Sequence, residues 1–596
     1  MKLYGYKALH LALAVFAAFI LCAGVSHASQ SAKELYDKAL ECAYEGKLEE
    51  AIEGLSRAID ADASYAAAYF NRGNLYETKG LDEQALSDYN RAVEIKPRYS
   101  EAFVNRGNVY YKKKEYEKAF SDYTKALEIN AAYTSARANR ALTYAKLGQY
   151  DQAIFDYSKA IDGSDDDALL YVDRGRVYNE KNMFKEAAAD FNRAVKIDPS
   201  CADAYLNRGL TEARLGKFAD AINDYDKAIE LDPNNAESYL SRGISRANRS
   251  EFEKSMADVN KALELNNQYA EAYLNRGNLY FNQGQSDAAI ADYNKAIELN
   301  SQYAESYFNR GVVYARIGDY KQAIYDYTKA IDLRPDCGEI FFNRANVYFS
   351  QGDYDSAISD FTKSIEAAKD DVDSYINRGI AYAKKGMTEE AAADFNRAVK
   401  INPKAAPAYF NLALIYDGKI QYEESLKYYA KALEANPRYI EAYLNRGIVY
   451  SNRSQYDLAI ADFNKAIAID PKNAEGYFNR GLVCDNKGDY DKALSDYNKF
   501  IELNPQHTSG YINRGIIYVK RSMYDRAVED FDRAIINEPE SASAYFNKAL
   551  VCEKMACARE AIDAYKNFIK YATPKLGVYV DGAKDRIEEL ERSAKY

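Results

Sequence analysis

The chain has no tryptophan, three histidines, seven cysteines and 11 prolines in 596 residues. Each shortage excludes something. His10 and His27 sit in the first 28 residues, which leaves His507 alone in the remainder. Multi-histidine metal sites are therefore ruled out, and Ser-His or Cys-His nucleophile pairs are disfavoured. No glycine-rich phosphate loop occurs. No catalytic residue, metal site or cofactor is assigned, and the chain reads as a non-enzyme. Beyond Cys22, the cysteines Cys42, Cys201, Cys337, Cys484, Cys552 and Cys557 lack the even, close spacing of a disulfide framework. Cys42, Cys484 and Cys552 replace an aromatic at one recurring position and read as small core residues.

Charge of one sign is nowhere concentrated. The formal net charge is −11, and the first 28 residues hold two of the lysines, Lys2 and Lys7, with no acid. Without a basic face, binding to a phosphate backbone has no electrostatic basis, so no nucleic-acid partner is expected.

Long apolar runs are missing except at the start. "MKLYGYKALHLALAVFAAFILCAGVSHASQ" has two lysines, an apolar run from Leu11 to Val25, and Ser26-His27-Ala28 before Ser29. That order is the pattern of a secretory signal. Residues 1–28 are expected to be a signal peptide cut between Ala28 and Ser29, with export to periplasm, envelope or exterior. The alternative is a membrane anchor through residues 8–25, although the run is shorter than the ~20 residues that span a bilayer.

What fills the rest is repetition. Aligned on "NRG", the copies fall 34 residues apart without a slip, at Asn71, Asn105, Asn139, Asp173, Asn207, Ser241, Asn275, Asn309, Asn343, Asn377, Asn411, Asn445, Asn479, Asn513 and Asn547. A divergent copy precedes them at Ala32 to Tyr65, so 16 units span residues 32–575 without insertion. Numbering each unit from one makes Ala270 position 1. Positions 4, 8 and 11 recur as aromatic, small, aromatic (Tyr273, Gly277, Tyr280), and positions 20, 24 and 27 as small, aromatic, small (Ala289, Tyr293, Ala296). Both sets have helical spacing, and a small residue opposite a ring lets two helices approach closely. Glycine is frequent at position 15, as in Gly284, and proline at position 32, as in Pro335; these end the first and second helix respectively. Residues 576–596 carry one apolar stripe, Val580, Ala583, Ile587, Leu590 and Ala594, and read as a helix capping the stack.

The period and those six core positions resemble the tetratricopeptide repeat (TPR), in an exported bacterial type marked by "NRG". The resemblance implies an all-α fold: a right-handed superhelical solenoid of about 16 antiparallel helix-turn-helix units plus the capping helix. It further implies a concave groove, lined by first helices, that receives proteins or peptides.

The sequence departs from that family at position 7. Thirteen units carry arginine there and the same thirteen carry aspartate at position 23, including Arg276 with Asp292 and Arg310 with Asp326. The exceptions lose both: Lys38 with Gly54, Leu412 with Tyr428, Lys548 with Ala564. An ion pair between the two helices, within a unit or across to the next, is expected. The unit from Ala406 to Tyr439, which lacks the pair, is a candidate joint.

Helical spacing puts positions 2, 5, 6, 9 and 13 on the face turned away from the partner helix. Position 6 gives a row of amides: Asn71, Asn105, Asn139, Asn207, Asn275, Asn309, Asn343, Asn377, Asn445, Asn479 and Asn513. The row is similar to the asparagine ladder in the repeat arm of the O-linked N-acetylglucosamine transferases. It either clasps an extended peptide backbone or serves the packing of the inner face. Position 2 adds carboxylates such as Glu271, Glu305 and Glu339, which favour basic, extended partners. The function expected is a non-catalytic interaction scaffold; the alternative is a self-associating envelope protein. Membrane contact is expected only through an uncleaved N-terminus.

Overall fold

The computed structural model describes residues 27–593. Among them are 33 α-helices and no strand. They run as consecutive helix-turn-helix pairs from α1 (His27–Tyr44) with α2 (Leu48–Ala61) onward, and end in the unpaired α33 (Gly577–Ser593). In a representative pair, α15 (Ala270–Asn282) is followed by α16 (Ser286–Leu299). The chain divides into two compact bodies, one ending at Ser306 and the other beginning at Tyr307. Within each body a first helix packs on its own second helix, that second helix on the next first helix, and most successive first helices on one another.

Local chemistry sets the lengths. The turn after each first helix puts position 15 in the left-handed region, occupied by glycine at Gly46, Gly80, Gly148, Gly216, Gly284, Gly318, Gly352, Gly386 and Gly488. Many of the turns between repeats are Asx turns: the side chain of Asn300, for example, accepts a hydrogen bond from the Gln302 N–H at 3.1 Å. α1 begins upstream of the expected first unit, at His27. At the other end a short 3-10 turn, Pro574–Leu576, precedes α33, whose Ala583, Val580, Ile587 and Leu590 close the apolar face of Phe568 and Tyr565. Among the described residues no helix is long and apolar enough to cross a membrane.

Seven turns place another residue at position 15, Lys114, Asn182, Ser250, Ile420, Ser454, Ser522 and Ala556, and of these Ile420 alone is β-branched. Ile420, at position 15 of the unit Ala406–Tyr439, has φ 61° and is 71% exposed. A β-branched residue there is strained, by roughly 1–2 kcal/mol. Ile420→Gly is expected to stabilise the chain by about 1 kcal/mol, the glycine's greater chain entropy offsetting part of the relief. Thermal unfolding of the two proteins checks this, and a lower midpoint for the glycine variant would show that the isoleucine side chain holds a contact worth more than the strain.

Candidate functional site

All thirteen arginine–aspartate pairs close within their own repeat. In each, Nε and Nη2 of the arginine donate to the two oxygens of one carboxylate at 2.5 to 3.0 Å, as Arg276 does to Asp292 and Arg310 to Asp326. The aspartates are buried. The guanidinium is held between two rings, Arg276 lying 5.4 Å from the Tyr273 centroid and 6.0 Å from that of Tyr280. Its hydrogen bonds to Asp292 push its pKa up, so it stays charged. The remaining nitrogen, Nη1, reaches back to position 25 of the preceding repeat: Arg72 to Ser56, Arg106 to Asn90, Arg276 to Asn260, Arg344 to Thr328. One guanidinium thus ties three helices. Sequence inspection missed the third, though position 25 carries a hydroxyl, amide or charge in every unit except at Ala430.

In the unit Ala406–Tyr439 the Tyr428 ring takes the guanidinium's place, stacked 5.2 Å from Tyr416 and 6.4 Å from Tyr409.

The position-6 amides fall into two environments. In the first body Asn71 donates to Tyr36 Oη at 2.6 Å, Asn105 to Asn74 Oδ1 at 2.8 Å, and Asn139 to Asn108 Oδ1 at 2.9 Å. Asn377, in the second, donates to Asn346 Oδ1 at 3.1 Å. These amides join successive first helices. Asn207 donates to its own helix at Asp203 O and accepts from Arg176, which also meets Asp173. Asn275, Asn343 and Asn445 donate only to the carbonyl one turn back, at 2.8 Å, and remain half-buried. Asn309, Asn479 and Asn513 are half-buried too. Position 5, expected on the open face, is core instead: Leu240, Leu274 and Leu444 are buried, and Phe308 packs 5.9 Å from the ring of Tyr327. A side chain there leans over the preceding turn toward the second helix. The position-2 carboxylates, Glu101, Asp203, Glu237, Glu271 and Glu305 in the first body and Glu339, Asp373, Glu441 and Glu475 in the second, are all exposed.

Position 9 decides what lies beneath the face. Where it is asparagine it receives the hydroxyl of the position-24 tyrosine: Tyr89 on Asn74 at 2.7 Å, Tyr123 on Asn108 at 2.9 Å, Tyr293 on Asn278 at 2.8 Å. Where it is Leu142, Leu414 or Leu482, the buried hydroxyls of Tyr157, Tyr429 and Tyr497 find no hydrogen-bond partner among the described residues. Ile380, Ile448 and Ile516 go instead with Phe395, Phe463 and Phe531. Removing an unsatisfied buried hydroxyl recovers its desolvation penalty, about 1–3 kcal/mol. Tyr157→Phe is therefore expected to stabilise the chain and Tyr123→Phe to destabilise it by about 1 kcal/mol, differences that urea denaturation of the two variants reads directly.

His507 is exposed at the cap of the helix Thr508–Lys520, its ring 5.1 Å from that of Phe500. Cys484 and Cys552 are buried and Cys42 is half-buried; all six described cysteines are free thiols. Among the described residues no group of three His, Cys, Asp or Glu side chains is placed to hold a metal ion. Ala28 and Ser29 lie in the first turn of α1, and residues 1–26 of the expected signal lie outside the described residues.

Solved structures with similar chains include a tetratricopeptide repeat protein from Parabacteroides merdae, 21% identical, covering 42% of this chain and 98% of that one at TM-score 0.36. YrrB, described as a TPR protein with an unusual peptide-binding site, is 29% identical over 31% of this chain and 95% of its own, at TM-score 0.28. Yeast Tom70 is 19% identical over 77% and 96%, at 0.33. No curated protein matches. Family models for the tetratricopeptide repeat match residues 66–99, 100–133, 135–162, 202–235, 304–337, 440–473 and 474–507, with related models on 342–406, 512–567 and 406–439. A TPR repeat model matches 39–80, 175–216, 246–284 and 277–318. With most of its length so matched, the chain belongs to the tetratricopeptide repeat family.

Proposed function

We propose that this chain is an exported, non-catalytic scaffold that holds extended protein segments against the open face of its first helices. Proteins of this family generally mediate protein–protein interaction, and YrrB is described as having a peptide-binding site. The observation that carries the reading is the pairing, on one face, of exposed position-2 carboxylates with position-6 amides that bond only their own helix, at Asn275, Asn343 and Asn445. An amide so placed keeps its carbonyl oxygen for a peptide N–H, and the carboxylates favour basic segments. Export is supported by the basic, apolar and small-residue order of residues 1–28.

The test is affinity capture from the native envelope by the chain beginning at Ser29, beside a variant with Asn275, Asn343 and Asn445 changed to Ala. Those amides join no second helix, so the variant is expected to keep its fold. Partners lost by the variant alone support the groove; identical captures make the amides structural. N-terminal sequencing of the exported protein tests the cut after Ala28.

A further inference from the structure

Four repeats carry a carboxylate at position 12: Glu77, Asp417, Asp485 and Glu553. Three of them are met by a neighbour. Asp485 takes Lys520 at 2.5 Å, Glu553 takes Arg586 at 2.7 Å, and Glu77, whose carboxyl burial pushes above the usual range, accepts from Tyr89 Oη at 2.8 Å. The Asp417 carboxylate has no hydrogen bond or ion pair among the described residues. The position that supplies lysine to Asp485, 35 residues on, is here the exposed Asn452. Lys419 and Arg453, the basic residues of the adjoining turns, are engaged by Glu389 and Glu423. Asp417 is half-buried, and burial alone pushes its carboxyl above the usual range.

Its setting is unusual in two further ways. Leu414, one turn before it, is 38% exposed, and Leu482 at the same position two repeats on is 39% exposed, with half-buried Ile448 between. The buried hydroxyl of Tyr429, which feels the Asp417 charge, also finds no hydrogen-bond partner among the described residues. An unpaired carboxylate thus stands beside an aliphatic row, with exposed Glu441 and Glu475 on the first helices that follow.

Resting on the groove reading above, we propose that Asp417 is the anchor subsite for an arginine or lysine of a bound polypeptide, whose aliphatic residues lie on Leu414, Ile448 and Leu482. Charge complementarity selects the basic side chain, because a carboxylate already partly desolvated gains most from a cation. Packed helices stand roughly 8–10 Å apart, and a polyproline-type strand advances ~3.1 Å per residue with three residues per turn. One aliphatic residue in every three therefore meets successive first helices.

The probe is fluorescein-labelled (Leu-Pro-Arg)4, titrated by anisotropy against the full chain, with (Leu-Pro-Glu)4 and (Ser-Pro-Arg)4 as comparators. Both comparators are expected to bind about tenfold more weakly, as is the original peptide to Asp417→Asn. Asn452→Lys is the decisive variant. It offers Asp417 the lysine that Asp485 already has, and should raise the melting temperature while weakening the peptide about tenfold by competition. Glu117→Gln, which removes one exposed charge from a second helix of the other body, should leave affinity unchanged. Equal affinity for Asp417→Asn and Asn452→Lys, or no binding of (Leu-Pro-Arg)4, overturns the subsite. If binding survives those two changes but falls when Asn343 and Asn445 become Ala, the subsite fails and the groove stands; if it falls with neither pair, both readings fail.

Discussion

Asp292→Ala is expected to destabilise its repeat by about 3–5 kcal/mol, the loss typical of breaking a buried ion pair by removing one partner. The charge left behind is the reason. Arg276 stays wedged between Tyr273 and Tyr280 with only Asn260 to receive a hydrogen bond. The pair itself adds far less than this loss, because desolvation offsets most of its attraction. The chain contains its own control: at Leu412 and Tyr428 both charges are gone and a third ring fills the gap, stacked on Tyr416. The double change Arg276→Leu with Asp292→Tyr should therefore recover most of the loss, leaving it within about 1 kcal/mol of the parent, the range of volume-conserving core swaps. Additive losses would show that the two residues act independently. Because stacked repeats open locally, hydrogen exchange along α15 and α16 is the right measurement, with a global melt as its companion.

That pairing was legible in the sequence because sixteen copies compare themselves: arginine and aspartate keep or lose each other together. The third partner at position 25 was not, since a hydroxyl, an amide and a carboxylate all accept the same N–H, so the constraint falls on chemistry and not on identity. Ser56, Asn90 and Thr328 look unrelated until the guanidinium joins them to their neighbours. The row of position-6 amides was likewise visible, but not its two environments. Whether an amide reaches the preceding first helix depends on what that repeat offers: Asn74 and Asn346 at position 9 and Tyr36 at position 5 accept a bond, and Ile380 offers none. Position 5 misled for a geometric reason. Spacing alone places it beside position 2, yet the tilt of helical side chains carries Leu274 and Phe308 into the core. Asp417 was hidden for the opposite reason: an unpaired charge is recognised only once every neighbour's partner is known.

Gly277→Val is the second large change, with an expected loss of about 1–3 kcal/mol from overpacking. A Cβ on Gly277 would lie 2.6 Å from Cε1 of Tyr293, closer than carbon atoms approach without movement. Gly277→Ala is a different case. Alanine gains up to about 1 kcal/mol in helix propensity, and Ala141, Ala345, Ala413 and Ala549 occupy the same position beside rings, so a small displacement of the ring is tolerated. The two contributions nearly cancel, and the alanine variant should melt close to the parent. Valine adds branches that the ring cannot clear by a small shift. If the ring is the obstacle, Tyr293→Val in the same chain should return part of the loss, as in the repeat where Gly243 faces Val259 without a ring. It will not return all of it, because Asn278 then loses the tyrosine hydroxyl. Failure of any rescue would place the strain in the backbone of α15. Successful rescue makes the ring on glycine the contact that sets how closely each first helix sits on its second, and hence the spacing a groove-bound segment must match.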